Sequence, residues 1–234
     1  MKQLQRVDFA MYAKSFVLLV RHPTILAMPV LAGVVDWGTN ELSPYLTDAL
    51  GGAGAGLFQM LVQIVYLFAF GIAIIQASNA WRGRRATFDE AWEEGRRKAG
   101  GILLAAIGFQ FVIWAAAYAG SLLGSVVGTV LQLAAAFFLI YTIPASSIGG
   151  MPGQMALAAS IRAVRENVVG TAILAIVFVG VWIVAPMWLL LHLPMSENVA
   201  LDLLVLAGIR AILLAYLAFP FAKAYDDVAF SRFW

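Results

Sequence analysis

Arg210 sits about a third of the way along the apolar run 203–221, LLVLAGIRAILLAYLAFPF. A guanidinium placed there has three uses: pairing with a carboxylate, binding an anion, or reaching back to the membrane surface. Counting from Asp202 at 1.5 Å per residue puts it roughly 12 Å inside that end of the run. Asp36, in GVVDWG at the end of another apolar run, is the natural carboxylate. An Arg210–Asp36 pair would tie the last part of the chain to the first. The alternative is a cationic site for an anion or a lipid headgroup, opening on the outer face. Gln59 and Gln63 are four residues apart and share a helical face, so they either join helices by hydrogen bonds or line a polar path with Arg210.

The remaining inventory offers little chemistry. Cysteine is absent, which excludes disulfides, thiolate nucleophiles, thiolate-bound zinc and iron–sulfur clusters. No H-E-x-x-H, G-x-S-x-G or phosphate-loop pattern occurs. His22 and His192 fall on opposite membrane faces in the topology argued below. Asp226 and Asp227 share a face of the membrane with Asp89, Glu90, Glu93 and Glu94, and the two groups could meet around a divalent cation. Carboxylates balancing nearby arginines are the plainer reading. The expectation is a non-enzyme with no catalytic residue, metal or cofactor.

The elements that must position Arg210 are membrane spans. Of 234 residues, 62% are hydrophobic and only 12% charged, about half the charged share of a soluble domain. Six apolar runs are long enough to cross about 30 Å of hydrocarbon, at about 23–38, 55–78, 100–120, 125–147, 168–191 and 203–222. The first is short and carries Pro29. The expected fold is an all-α integral membrane protein forming one transmembrane domain over 1–234. The basic N-terminal segment is read as retained, because Lys14 and Arg21 break its apolar run and no small-residue cleavage site follows.

Charge sets the expected orientation. The interval 81–100 carries Arg82, Arg84, Arg85, Arg96, Arg97 and Lys98, whereas 37–54 carries Glu41 and Asp48 with no cation. Lys2, Arg6, Lys14, Arg21, Arg162, Arg165, Lys223 and Arg232 fall on the side of 81–100. Asp36, Glu41, Asp48, Glu197 and Asp202 fall on the other. The positive-inside rule makes this a prokaryotic cytoplasmic (inner) membrane protein with both termini cytoplasmic. Because the cations flank spans, nucleic acid is not expected as a partner. Membrane lipids, another membrane protein or a second copy are.

The cytoplasmic intervals read as interfacial helices. Thr87 and Glu90 have capping-box spacing, and Phe88, Ala91, Trp92 and Ala99 form an apolar face opposite Glu93, Glu94, Arg96 and Arg97. MALAASIRAVRENVVG places Leu157, Ile161, Val164 and Val168 on one stripe, with Arg162 and Arg165 off it. Shifted by 69 residues, the two segments align Trp92 with Ile161, Arg96 with Arg165 and Gly101 with Gly170. The segment from Asp8 to Pro23 fits the scheme less well. Three repeated units are expected, each an interfacial helix plus a helical hairpin, over about 8–78, 86–147 and 155–222. The bland alternative is a polytopic protein whose loops are simply basic and amphipathic.

The run SIRAVRENVVGTAILAIV, with R-x-x-R-E-N-x-x-G entering a span, resembles the membrane domain attached to some bacterial glycerophosphodiester phosphodiesterases and related prokaryotic membrane proteins. TFDEAWEEGRRKAGG is a fainter echo. The resemblance covers about 25 residues and implies a multi-helix membrane domain. The family's phosphodiesterase domain has no counterpart in this sequence. The leading functional expectation is an accessory or scaffold subunit of a membrane complex. The alternative is a small-solute or lipid transporter or channel component, and a membrane-embedded lipid enzyme comes third.

Overall fold

The computed structural model describes residues 8–192 and 199–230, so Lys2, Arg6, Glu197 and Arg232 lie outside the described residues. Every regular element among the described residues is helical. A short helix, α1 (Ala10–Arg21), ends at His22-Pro23, and one turn of 3₁₀ helix (Pro23–Leu26) leads into α2 (Ala27–Trp81). Proline cannot donate the backbone bond that would continue α1. The chain bends there by 92°.

Helix α2 is a hairpin. Gly51 has φ 68° and ψ 173°, a left-handed φ that favours glycine, and the helical ladder breaks at it. Tyr66 Oη lies 3.4 Å from Asp36 Oδ2, with each residue 15 positions from Gly51. A straight helix would hold them about 45 Å apart. The chain therefore folds back at Gly51, giving arm one before it and arm two after it. The interval 37–54, expected as a connection between spans, is helical as far as Leu50. Thr39, Asn40 and Thr47 each donate to the carbonyl four residues earlier, which satisfies these side chains inside a helix.

Arm two ends in a glycine cap. Gly83 takes φ 64°, the Gly83 N–H donates to Ala80 O, and the Arg84 N–H donates to Asn79 O. This double bond pattern satisfies carbonyls that a helix end leaves open. Thr87 then caps α3 (Phe88–Arg97) by accepting from the Glu90 N–H at 3.4 Å, the first half of the expected capping box. A second hairpin follows, α4 (Ala99–Ser121) and α5 (Ser125–Phe138), extended by α6 (Thr142–Ser147). Gly124, at φ 118°, makes its turn. Helix α7 (Gly153–Glu166) breaks at Asn167, which accepts from the Gly170 N–H to start α8 (Val168–Val179). A π turn (Gly180–Val184) joins α8 to α9 (Ala185–His192), and α10 (Val199–Phe230) returns.

Five helical stretches are long and apolar enough to cross a membrane: Gly54–Trp81, Ala99–Ser121, Ser125–Ser147, Val168–Leu189 and Ala200–Ala229. The segment before Gly51, expected as the first span, meets that standard only when joined to α1 across the bend, which gives six. Its weakness is chemical: Asp36, Thr39, Asn40 and Glu41 cut the apolar run short.

The core lies between arm two and α10. Small residues form buried stripes on both, Ala69, Ala73 and Ala77 on one and Ala211, Ala215, Ala218 and Ala222 on the other. Hydrocarbon is as apolar as leucine, so spans associate through close packing rather than hydrophobic transfer, and small side chains permit it. Trp81 Nε1 donates to Phe219 O at 2.9 Å, and the Phe70 and Phe221 rings meet edge to face at 5.3 Å. Gln76, fully buried, donates to Thr24 Oγ1 and to Ala86 O, both at 2.7 Å, and so fastens the segments before and after α2 to arm two.

Candidate functional site at the Arg210 ion pair

Arm one and α10 place the two charges. Gly33 approaches α10 so closely that a Cβ added to it would lie 3.1 Å from Ala207 O, which brings the backbones together just below the site. Asp36 follows one turn later on arm one. Arg210 lies one turn beyond Ala207, and its long side chain runs back toward the Gly51 end. Nη1 donates to Asp36 Oδ2 at 3.3 Å, and the Tyr66 hydroxyl donates to the same oxygen at 3.4 Å. The burial is uneven, with the Asp36 side chain 6% exposed and that of Arg210 38%. Trp37 Nε1 donates to Ala200 O at 3.1 Å, a second tie between the same helices.

The pair borders a cavity of about 470 Å³. Asp36, Trp37, Asn40 and Ser43 line it from arm one, and Leu203, Leu206, Ala207 and Arg210 from α10. Asp36, Asn40 and Ser43 are spaced to share one helical face, so the wall on arm one carries polar groups between Trp37 and Pro44, and that on α10 is apolar above Arg210.

Its depth follows from the hairpins. Gly71 and Ile102 touch, a Cβ on Gly71 lying 3.0 Å from Ile102 Cγ2, and they stand about 20 residues from Gly51 and Gly124 respectively, so the two tips end nearly level. Tyr45, Trp114, Tyr118 and Trp188 are all exposed, between 57% and 72%. The first three lie roughly 9–15 Å from Gly51 or Gly124 at 1.5 Å per residue. Trp188 lies six residues toward the tip from Trp182, whose ring meets Tyr66 at 6.0 Å. Exposed Trp and Tyr at about one level form a belt of the residue types that membrane–water interfaces favour. Asp36 and Tyr66 are about 22 Å from the Gly51 tip, which sets the ion pair roughly 10 Å below that belt.

Gln59 and Gln63 stand apart from this site. Gln59 is exposed, Gln63 is half-buried, and neither lines the cavity. The buried glutamine with defined partners is Gln76, 1% exposed and donating to Thr24 and Ala86. Its signal was weak, since nothing in a glutamine's neighbours along the chain reveals which one meets a carbonyl.

The cationic end carries the second cluster. A cavity of about 460 Å³ is lined by Asn79, Arg84, Arg85, Asp89, Glu90, Glu93, Glu94 and Arg97. Arg96 pairs with Glu93 at 3.0 Å, Arg97 Nε donates to Glu93 O at 3.3 Å, and Lys98 bridges Glu94 at 2.6 Å and Ser147 O at 2.7 Å. Asp226 pairs with Arg82 and Asp227 with Lys223. Glu93, Glu94, Asp226 and Asp227 thus each pair with a cation, and among the described residues no three His, Asp or Glu side chains converge as a metal set. Trp92 is exposed and stacks on Phe88 at 6.2 Å, while Ala91 and Gly95 form the buried face of α3, packed on Ile72. The expected apolar face is thus divided between core and surface. Arg162 and Arg165 are exposed on α7.

No family model, curated protein sequence or solved structure matches the chain.

Proposed function

We propose that the chain is a non-enzymatic, multi-pass protein of a prokaryotic cytoplasmic membrane that acts as an accessory or scaffold subunit, its open hairpin faces covered by another membrane protein or by a second copy. Uneven burial carries this reading. Within the chain, 56% of the most apolar stretch of Gly54–Trp81 is buried, against 17% for Ala99–Ser121 and 11% for Val168–Leu189. The α4–α5 hairpin, whose second span Ser125–Ser147 is 28% buried, and the span Val168–Leu189 thus project long faces that this chain leaves uncovered. Lipid satisfies such faces without specificity, whereas a scaffold uses them to hold a partner.

The orientation belongs to the same proposal. Arg82, Lys98, Lys223 and α1, α3 and α7 gather at the end opposite the aromatic belt, which the positive-inside rule makes cytoplasmic. So does the threefold repeat. A short helix precedes a hairpin three times along the chain, and α1 and α7 break at His22 and Asn167 with nearly equal backbone angles (φ −126°, ψ 63° and φ −142°, ψ 68°). A transport role has one observation in its favour, the cavity at Arg210, and the glutamines proposed for its path lie outside that cavity.

The test is the native mass spectrum of the protein extracted from its own membrane in mild detergent. A particle heavier than 25.2 kDa by a whole polypeptide, the same or another, is expected. A monomer carrying only lipid would overturn the subunit reading. Orientation is tested separately by labelling single cysteines, since the native chain has none. Arg97→Cys should react only from the cytoplasmic side and Thr47→Cys only from the other.

A further inference from the structure

Arg210 is under-used by the protein. A guanidinium carries five N–H donors in a planar fork. Among the described residues one of them is engaged, in the single 3.3 Å bond from Nη1 to Asp36. The remaining donors belong to a side chain 38% exposed that borders a cavity, roughly 10 Å below the aromatic belt. Unpaired donors at that depth call for an acceptor other than bulk water. Asp36 is in the complementary position. It borders the same cavity, and among the described residues both of its hydrogen bonds go to Oδ2, which leaves Oδ1 without a donor.

A cation and an anion side by side, each with unused capacity, make a site that is neutral overall and strongly dipolar. A simple anion would gain Arg210 but meet Asp36. A zwitterion satisfies both, its oxyanion on the guanidinium and its ammonium on the free carboxylate oxygen. The surroundings favour an amphiphile over a free solute. Leu203 and Leu206 form one wall, and Asn40 and Ser43 lead from the charges toward the belt.

We propose that this groove binds the headgroup of an amine-bearing, zwitterionic phospholipid, phosphate on Arg210 and ammonium on Asp36, drawn from the leaflet at the aromatic end. The inference stands independently of the scaffold reading, since a subunit or a lone monomer would hold the lipid equally well.

The test uses the whole protein, stripped of lipid in detergent and offered phosphatidylethanolamine and phosphatidylglycerol in equal amounts, with retention read by native mass spectrometry. The wild type should retain phosphatidylethanolamine roughly tenfold over phosphatidylglycerol, the ratio that about 1.4 kcal/mol of discrimination gives. Arg210→Gln should abolish the preference. Because that variant disturbs the ion pair, Leu206→Trp is the decisive one: it fills the groove from the α10 wall, leaves both charges in place, and should lose retention while keeping the thermal midpoint of the lipid-free protein. Equal retention of the two lipids, or undiminished retention by Leu206→Trp, overturns the proposal. Free phosphorylethanolamine that stabilises the wild type in the absence of lipid also overturns it, in favour of a solute site.

Discussion

Arg82, just beyond the first hairpin, grips Asp226 near the end of the last helix through two bonds, Nη2 to Oδ1 at 2.6 Å and Nε to Oδ2 at 3.3 Å. The fork is a good geometric match for a carboxylate. The side chains are 36% and 23% exposed, however, so water and salt compete for both charges. Asp226→Asn should therefore cost at most about 1 kcal/mol. That cost should shrink between 0.05 and 1 M salt, over which the screening length shortens from about 14 Å to about 3 Å. Thermal unfolding of both proteins in detergent at the two salt levels checks it, and a difference independent of salt would show that packing, not charge, joins these segments.

The Arg210–Asp36 pair should behave differently, because its two partners are buried unequally. Arg210→Met strands a carboxylate that is only 6% exposed, whereas Asp36→Asn leaves a guanidinium that can reach toward the interface. Loss of one member of a buried pair costs about 3–5 kcal/mol, and partial exposure lowers that figure. We expect about 2–4 kcal/mol for Arg210→Met, a smaller loss for Asp36→Asn, and less than the sum for the double variant. Additive losses in a double-mutant cycle would mean that the two side chains do not interact.

Gln76 offers a sharper contrast. Both of its donors are used, at 2.7 Å to Thr24 Oγ1 and 2.7 Å to Ala86 O, and the latter is a backbone acceptor. Gln76→Leu should destabilise by about 1–3 kcal/mol, because it leaves polar groups buried without partners. Gln59→Leu, at an exposed position, should change stability by less than about 0.5 kcal/mol. Equal effects from the two substitutions would remove the case for Gln76 as the fastening between arm two and the segments before and after α2.

These residues also mark how far the sequence could be read. Arg210 and Asp36 could be matched because a lone cation inside an apolar run restricts its partners to the few acids at the same end. The cap at Thr87 and the glycine turn at Gly124 carry local signals that tertiary context did not override. The stretch from Thr39 to Leu50 misled for the opposite reason. Its threonines, asparagine and proline look like turn material, yet three of those side chains bond to the preceding helical turn and the helix continues to Gly51. The face of α3 was only partly legible, since apolar periodicity groups Trp92 with Ala91 but cannot tell which of them faces Ile72. Cavities stayed invisible, because they depend on how two distant helices cross.

The turn between α4 and α5 gives the most exacting prediction. Gly120 and Gly128 meet across it so closely that a Cβ on Gly120 would lie 2.1 Å from Gly128 Cα and 2.7 Å from its nitrogen. Both contacts are with backbone, which cannot swing aside as a side chain would. Gly120 and Gly128, on either side of the Gly124 turn, are thus the means by which the two helices approach. Gly120→Ala must part them, at a cost of about 1–3 kcal/mol or more. Gly100→Ala is the control, for a Cβ there meets nothing within 4 Å. A methyl group in an open helical position should be neutral or slightly stabilising. Comparing the two variants by thermal unfolding separates steric exclusion from helix propensity, since both replace a helical glycine by alanine and only one has a backbone in the way.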